Sequence, residues 1–344
     1  MARVQISICL PTLNSIRYLP ERLESIRAQT FTDWELIAMD SDSKDGTREL
    51  LEKFAFEDSR VHVGQTPKDG IYPNFNRCIQ AANGQFVYVA TSDDTMAPDC
   101  LEKLVGALVE HPECDLAHCP MRALDENGAL GPDWWSSSSL FAKSSGQFLY
   151  RRHKRIAPLD GILCMLGDNI YTSVTQLLIR RSLFDRIGFY RADWGSLGDF
   201  HWNLRAGLAA SAVHVPDTWG GWRIHPNQAT ASVHFDSLDH QKKIDCMIED
   251  VVENLDCYAT RRLNMEALQK LETRARELRI YLREHDRNKT ALDRRLSLIR
   301  NVLSGSRPAR QHLTSLVPGQ KRWPGAAPEW VLTWFSENAL LSLP

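Results

Sequence analysis

The sequence predicts an α/β protein with a mostly parallel central sheet flanked by helices, followed by a C-terminal α-helical extension. Two observations carry this prediction. Apolar runs of strand length alternate with segments of helical spacing over residues 4–118, which indicates parallel strands joined by right-handed helical crossovers. Apolar residues then step by three and four between 268 and 303, which indicates an αα-hairpin. We therefore expect a sheet-based region over residues 1–238 and a helical region over residues 239–344.

The individual elements follow from the spacing of apolar residues. Helical segments carry them three or four apart, as Leu19, Leu23 and Ile26 do, whereas strands are short continuous apolar runs. The predicted strands are 4–10, 34–39, 60–63, 86–90, 115–118, 175–179 and 213–215, and the predicted helices are 18–29, 46–54, 74–82 and 98–110. Between about 128 and 160 the pattern gives way to a long loop, which contains Trp134, Trp135 and the basic run 151–155.

Composition limits the class of protein. The 344 residues are 43% hydrophobic and 24% charged, as in a soluble globular protein. Eight cysteines are scattered without a CxxC pair, which argues against a zinc site or a disulfide scaffold and favours buried thiols in a reducing cytoplasm. The N-terminus has no apolar signal segment, and no uncharged apolar run reaches the ~18 residues of a membrane span. We expect a cytoplasmic protein.

The basic charge is concentrated near the C-terminus. Residues 259–322 contain 16 Lys and Arg against 6 Asp and Glu, although the whole chain carries a net charge of −2. Three interpretations remain open. The segment docks on the anionic inner face of the plasma membrane, helped by Trp330, Trp334 and Phe335; it forms a homodimer; or it is a solvated helix pair. Nucleic-acid binding is disfavoured because no aromatic-basic platform accompanies the charge.

Asp93 and Asp94 follow the predicted strand 86–90 directly. Ligands of open parallel sheets bind at the carboxyl ends of the strands. Two adjacent carboxylates repel each other unless a cation or a proton lies between them, and oxygen ligands suit Mg²⁺ or Mn²⁺, which bind phosphate. The alternative is structural, since Asp94 or Thr95 could cap the helix that begins near Pro98.

Other polar segments follow the other predicted strands or stand near them. Carboxylates and backbone N–H groups at such strand-to-helix turns suit a nucleotide or a phosphate, although Asn and Asp are also common turn formers. The segments are Pro11-Thr12-Leu13-Asn14, the loop 40–47 with Asp40 and Asp42, Lys68-Asp69-Gly70-Ile71-Tyr72 with Asn76, Thr91-Ser92-Asp93-Asp94, Gly198-Asp199, and Trp222-Arg223-Ile224-His225.

In their order, these motifs resemble those of the family 2 inverting glycosyltransferases of the Rossmann-like GT-A fold. The resemblance covers roughly residues 4–235. The segment 11–14 matches the opening P-x-x-N turn, 40–47 the D-D-G-S-x-D-G-T loop, and 91–94 the D-x-D-D metal motif. Gly198-Asp199 matches the acceptor-side E/G-D motif, and 222–228 matches W-R-x-H-x-x-Q. Three departures stand out: Ser41, Thr91 and Gly198 occupy positions where the family commonly has acidic residues.

The resemblance implies a glycosyl transfer reaction. A nucleotide-diphosphate sugar is the implied donor, with Mn²⁺ or Mg²⁺ on Asp93 and Asp94, and Asp199 is the implied general base for a hydroxyl of a glycan or a polyprenyl-diphosphate-linked glycan in bacterial surface polysaccharide synthesis. The implied substrate contacts are Pro11, Thr12, Asn14, Asp40, Asp42, Lys68, Asp69, Gly70, Asn76, Ser92, Asp93, Trp222, Arg223 and His225. The alternatives are structural roles: Asp199 caps a helix, and His225 is a buried histidine that only stabilises the fold.

Two other functions are alternatives to glycosyl transfer. A non-catalytic module that binds nucleotide sugars stays open, because Ser41 and Thr91 depart from the motifs. A nucleotidyltransferase would be expected to carry a glycine-rich basic loop after the first strand, and residues 10–14 contain none.

Overall fold

A nine-stranded mixed sheet forms the centre of the protein. The computed structural model describes residues 4–133, 149–165, 170–228, 238–254 and 340–342. Its strands are β1 (Ile6–Thr12), β2 (Trp34–Asp40), β3 (Val61–Gln65), β4 (Phe86–Val89), β5 (Thr95–Met96), β6 (Leu116–His118), β7 (Met121–Leu124), β8 (Leu130–Asp133), β9 (His153–Arg155), β10 (Leu177–Arg180), β11 (Ala212–His214), β12 (Gly220–Arg223) and β13 (Leu340–Ser342). Its α-helices are α1 (Leu19–Arg27), α2 (Thr47–Glu57), α3 (Ile71–Ala81), α4 (Cys100–Glu110), α5 (Leu159–Met165), α6 (Ser182–Ile187), α7 (Gly198–Ala209) and α8 (Leu238–Glu253).

The strand order confirms the predicted sheet and extends it. The central sheet has the order β13-β9-β11-β6-β10-β4-β1-β2-β3, in which β1 to β4 form a continuous parallel group. β10 is antiparallel to both of its neighbours, β4 and β6. A second sheet of order β5-β12-β7-β8 was not predicted, because its strands are only two to four residues long.

Two hydrophobic clusters cover the two faces of the central sheet. Alternate residues of β1 belong to different clusters: Ile8 and Leu10 pack with α1, α2 and α4, whereas Cys9 packs with α3, α6 and α7. Helix α8 joins the latter cluster, since its Met247 and Val251 are fully buried. The first helix of the predicted C-terminal region therefore packs on the core of the sheet region.

The basic run 151–155 lies partly on a strand, whereas the sequence predicted that it belongs to a long loop. His153 and Arg155 lie on β9 and are buried, and Arg155 forms an ion pair with buried Asp160 at 2.8 Å. His153, His214 and His118 are cross-strand partners on β9, β11 and β6. Burial lowers the pKa of His118 and His214 well below the ordinary value, so both rings are neutral at physiological pH. The prediction was wrong because strand pairing turned part of the run inward.

Several predictions fall outside the described residues. These are the basic segment 259–322, the aromatic residues Trp330, Trp334 and Phe335, and the pair Trp134-Trp135. Among the residues that are described, no helix is long and apolar enough to cross a membrane.

Helices α5 and α7 approach each other through two glycines. A Cβ added to Gly207 would lie 2.4 Å from the backbone N of Gly161, and one added to Gly161 would lie 2.6 Å from the backbone N of Leu208. Backbone atoms at such distances cannot rotate away as a side chain can.

We expect Gly207→Ala to lower the free energy of unfolding by about 1–3 kcal/mol, because the helices must separate. Gly106→Ala is the matched control: Gly106 lies inside α4 with open space around the added Cβ, so helix propensity should stabilise this variant by about 0.5–1 kcal/mol. Urea unfolding measures both changes. Equal effects of the two variants would contradict the close helix crossing.

Candidate active site

The candidate site lies at the carboxyl ends of β1, β2 and β4. These neighbouring parallel strands end at Thr12, Asp40 and Val89, so the loops that follow them meet at one edge of the sheet. The Thr12 hydroxyl donates to Asp40 Oδ1 at 3.0 Å. The Ser15 and Ser92 hydroxyl oxygens are 2.8 Å apart, which joins the loop after β1 to the loop after β4.

Asp40 organises the loop after β2 from inside the protein. Its carboxylate is fully buried and accepts hydrogen bonds from the Ser43 N–H at 2.9 Å and the Ser43 hydroxyl at 2.5 Å. Asn14 ties the same loop to β1, because its N–H donates to Ser43 Oγ and its Oδ1 accepts from the Lys44 N–H. Pro11 is buried within β1. These contacts fix the shape of the loop without any ligand.

Asp42 and Lys68 are exposed charges on the loops after β2 and β3. Asp42 has a left-handed backbone φ of 60° at the position where the family motif has glycine. The Lys44 ammonium, 2.6 Å from Asp42 Oδ1, lowers the pKa of Asp42 through a hydrogen bond. Asp69 forms an ion pair with Arg77 of α3. Of Asp40 and Asp42, which are both implied substrate contacts, only Asp42 has a carboxylate that faces solvent.

Two asparagines fasten α3 to its surroundings. Gly70, with φ 115°, precedes the helix. Asn74 donates from Nδ2 to Ser41 Oγ at 2.7 Å, which ties α3 to the end of β2. The Asn76 amide donates to the Tyr190 carbonyl at 2.8 Å and accepts from the Tyr190 N–H at 3.0 Å. Both groups of the Asn76 amide hold the protein backbone, and its contact with substrate stays a prediction.

Asp93 and Asp94 occupy different environments although they are adjacent. The Asp93 side chain is 27% exposed, and its Oδ2 lies 2.9 Å from His225 Nε2. Asp94 is 1% exposed, and its Oδ1 accepts the backbone N–H of Arg223 at 2.9 Å. Asp93 therefore faces the site and Asp94 lies beneath it. The cap interpretation of Asp94 and Thr95 was wrong, since α4 begins after Asp99.

The buried position of Asp94 changes its acidity. Burial, with the adjacent Asp93 carboxylate as the second cause, raises the pKa of Asp94 to about 7. The Thr91 hydroxyl, the Arg223 N–H and the buried Arg22 guanidinium act in the opposite direction. Thr91 thus contributes a neutral hydroxyl where the family motif would add another negative charge.

The Arg223 side chain points into the protein. It is fully buried, and its guanidinium donates to the carbonyl oxygens of Asp93 at 2.7 Å and Asp125 at 3.0 Å and to Glu21 Oε2 at 2.6 Å. The guanidinium also lies over the Tyr18 ring at 5.0 Å. Because Nε, Nη1 and Nη2 all bond protein oxygens, the geometry favours a positioning role for Arg223 over the predicted contact with donor oxygens.

His225 stands beside Asp93 at the same edge. The residue is 8% exposed, and its backbone N–H donates to Gln228 Oε1 at 2.9 Å. The centroid of its imidazole ring lies 4.6 Å from that of the Tyr18 ring. Trp222, three residues earlier, is partly buried against the hydrophobic cluster of α3 and α7. The imidazole nitrogen of His225 and the carboxylate of Asp93 form a pair of metal-ligand types.

Asp199 lies in the first turn of α7, partly buried against Tyr72 of α3. Its Oδ1 accepts the Phe200 N–H at 2.8 Å and the Tyr72 hydroxyl at 3.1 Å. Burial raises the pKa of Asp199, and these two hydrogen bonds partly oppose the rise. The interpretation of Asp199 as a helix cap was wrong, because Leu197 holds the cap position. Tyr72 is the second residue of α3. Two residues later, Asn74 donates a hydrogen bond to the Met39 carbonyl of β2. The Tyr72 contact therefore links Asp199 to the sheet edge from which the loop after β2 leaves.

Comparison with known proteins identifies the family. The profile of glycosyl transferase family 2 matches residues 7–188, more than half of the chain. The chain belongs to glycosyl transferase family 2. Matches to curated relatives cover between 42% and 76% of the relative's own length. One of them, a PGL/p-HBAD biosynthesis glycosyltransferase of Mycobacterium bovis, is 27% identical over 221 residues, which are 62% of this chain and 76% of that protein.

Solved structures show the fold of this family 2 member. S. aureus TarS 1–349 in complex with UDP-GlcNAc gives a TM-score of 0.54 at 17% identity, covering 94% of this chain and 100% of that one. The mannosyltransferase PcManGT from Pyrobaculum calidifontis, in complex with GDP-Man and Mn²⁺, gives 0.50 at 17% identity and covers 88% of each chain. The GT-A fold implied by the motifs is confirmed.

The structure adds site residues that sequence reasoning missed. Tyr18 and Glu21 lie at the start of α1, outside every recognised motif, and only the fold brings them to Arg223. Tyr72 and Asn74 lie inside the segment 68–76 that was singled out, so their position was available although their role was not. Their partners, Asp199 and Ser41, are too distant in sequence to be paired by spacing.

We expect Arg223→Met to lower the free energy of unfolding by about 2–3 kcal/mol, because oxygens of three chain segments lose a buried charged donor. Arg17→Met is the matched control. Arg17 lies over the same Tyr18 ring at 5.0 Å but is 59% exposed, and its pair with Glu126 is at the surface, so its loss should change stability by less than about 0.5 kcal/mol. Urea unfolding compares them. Equal losses would contradict the clamp assigned to Arg223.

Proposed function

We propose that this chain transfers a sugar from a nucleotide-diphosphate sugar to a hydroxyl of a glycan or lipid-linked glycan acceptor, with inversion at the anomeric carbon. One observation carries the proposal: a partly buried carboxylate with raised proton affinity, Asp199, is joined through Tyr72 and α3 to the sheet edge where Asp93 and His225 lie 2.9 Å apart. A general base and a diphosphate site at one edge suit a single displacement at carbon.

The donor site would be built by the loops after β1 to β4. TarS binds UDP-GlcNAc and PcManGT binds GDP-Man in the structures that share this fold, which supports a nucleotide sugar as the donor. The loop from Asp40 to Thr47 is held in shape by buried contacts, and its exposed Asp42 is the carboxylate available to a nucleobase or a ribose. Lys68, on the next loop, can add positive charge near phosphate.

The residues fit a divalent cation in part. Asp93 and His225 supply one oxygen and one nitrogen 2.9 Å apart, with Asp94 buried beneath them. Among the described residues no three His, Cys, Asp or Glu side chains converge on one point, so donor phosphate oxygens and water would complete the ligand set. The imidazole favours Mn²⁺ over Mg²⁺, which takes oxygen ligands. When bound, the cation would neutralise the charge of the departing nucleoside diphosphate.

Asp199 would accept the proton of the attacking hydroxyl. The hydrogen bonds from Tyr72 and Phe200 both reach Oδ1, so Oδ2 is the oxygen we assign to the acceptor. A carboxylate with a raised pKa, as Asp199 has, is a stronger base than one with an ordinary pKa, provided that it is ionised at the working pH. The names of the relatives, which include a putative teichuronic acid biosynthesis glycosyltransferase of Bacillus subtilis, support a surface glycan as the product class.

Replacing the base should stop turnover. We expect Asp199→Asn to lower the release of nucleoside diphosphate from the best donor of a UDP- and GDP-sugar panel by 10²- to 10⁴-fold, while nucleotide binding survives. Asp193→Asn is the control, because that carboxylate is 56% exposed, lies six residues earlier and pairs only with Arg191 among the described residues. An Asp199→Asn enzyme that keeps more than about a tenth of the activity would remove Asp199 from this role.

Replacing the exposed carboxylate of the metal motif should abolish metal-dependent binding. We expect Asp93→Ala to eliminate the effect of Mn²⁺ on nucleoside-diphosphate affinity, measured by calorimetry with and without the ion, because His225 alone cannot hold it. Asp42→Asn is the control for a lost negative charge on a neighbouring loop and should retain the Mn²⁺ effect. Unchanged Mn²⁺ dependence in Asp93→Ala would place the cation elsewhere.

A further inference from the structure

Tyr72 forms an unpredicted contact with the proposed base. The residue is 7% exposed, and its hydroxyl oxygen lies 3.1 Å from Asp199 Oδ1 and 3.1 Å from the carbonyl oxygen of Ser196. A tyrosine hydroxyl has one proton to donate. The ionised carboxylate is the stronger acceptor, so Asp199 receives the proton whenever it is charged.

Gly198 makes room for the Tyr72 ring. A Cβ at Gly198 would lie 2.7 Å from Tyr72 Cε2, 2.8 Å from Tyr72 Cδ2 and 2.6 Å from the carbonyl oxygen of Arg191. Any side chain at this position would therefore displace the ring or the backbone. Gly198 is one of the three departures from the family motifs, which commonly have Glu here. The structure accounts for it: the space beside Asp199 holds the tyrosine of α3.

The ring of Tyr72 is held on its other side as well. Tyr190 stacks on it with a centroid distance of 5.9 Å and an interplanar angle of 23°, and Phe75 packs against both rings. The Tyr190 backbone is in turn fixed in both directions by the Asn76 amide. The hydroxyl of Tyr72 is thus delivered to Asp199 from a packed aromatic cluster, with little rotational freedom.

We propose that Tyr72 is the positioning residue that orients the Asp199 carboxylate and sets its affinity for the acceptor proton. The inference rests on the proposed function of Asp199 as general base. By bonding Oδ1, the Tyr72 hydroxyl presents Oδ2 to the acceptor. It also favours the ionised form of Asp199, which is the form that can take a proton.

The second acceptor of Tyr72 gives the pair a way to follow the reaction. The acceptor oxygen forms a bond to the anomeric carbon, the bond from that carbon to the phosphate oxygen breaks with its electron pair on the phosphate, and the acceptor proton passes to Asp199. Once protonated, Asp199 is the weaker acceptor, and the Tyr72 proton can turn to the Ser196 carbonyl. Both distances are 3.1 Å, so no heavy atom has to move.

The test is the pH dependence of kcat/KM in Tyr72→Phe, which keeps the ring and removes the hydroxyl. Burial already raises the pKa of Asp199, and the hydroxyl opposes that rise, so its loss raises the pKa further. Activity depends on ionised Asp199, so we expect the acid limb to move up by about one pH unit and the rate on that limb to fall about tenfold. The donor KM should change by less than about twofold.

Tyr190→Phe is the matched control. Its hydroxyl is buried without a hydrogen-bond partner among the described residues, and its ring belongs to the same cluster, so removing the hydroxyl should leave the pH profile unchanged. A wild-type profile in Tyr72→Phe, or equal shifts in both variants, overturns the inference even when Asp199→Asn is inactive. An active Asp199→Asn instead overturns the proposed role of Asp199 as the base, so the two failures are distinguishable.

Discussion

The buried guanidinium of Arg223 is the interaction on which the candidate site depends most. A fully buried charge is tolerated only when its hydrogen-bond donors are satisfied, and here the acceptors come from α1, from the metal motif and from the loop between β7 and β8. The backbone N–H of the same residue bonds Asp94. The two aspartates that follow β4 are therefore held by Arg223 of β12, a strand of the other sheet, about 130 residues later in the chain.

Many of the other polar side chains at the site also hold the loops in place through hydrogen bonds within the protein. Asp40, Asn14 and Asn76 were candidates for substrate contacts, yet each bonds backbone or hydroxyl groups of the protein. Such internal hydrogen bonds organise the site before a ligand arrives. Groups that face solvent, such as Asp42, Lys68 and Asp93, are the ones free to contact the proposed donor. Motif membership alone does not separate these two classes, because both kinds of residue stand in the same short segments.

The second half of the chain completes the site through packing rather than through motifs. Helix α7 carries Asp199, and its crossing with α5 depends on Gly161 and Gly207. Helix α8 adds an anchor to α7 from the C-terminal region, since Asp250 bonds His201, two residues beyond Asp199, at 2.9 Å. The position of the proposed base is therefore set jointly by α3, α5 and α8.

The sequence by itself determined the parallel βαβ half, the order of its polar loops and the family, because strand and helix periodicities are local and motif order survives at low identity. Only the tertiary structure decided which side chains face the ligand. The inward turn of His153 and Arg155, the burial of Arg223 and the meeting of Tyr72 with Asp199 depend on strand pairing and helix packing between distant segments. The spacing of residues along the chain does not predict those contacts, because they form only when helices pack on both faces of the sheet.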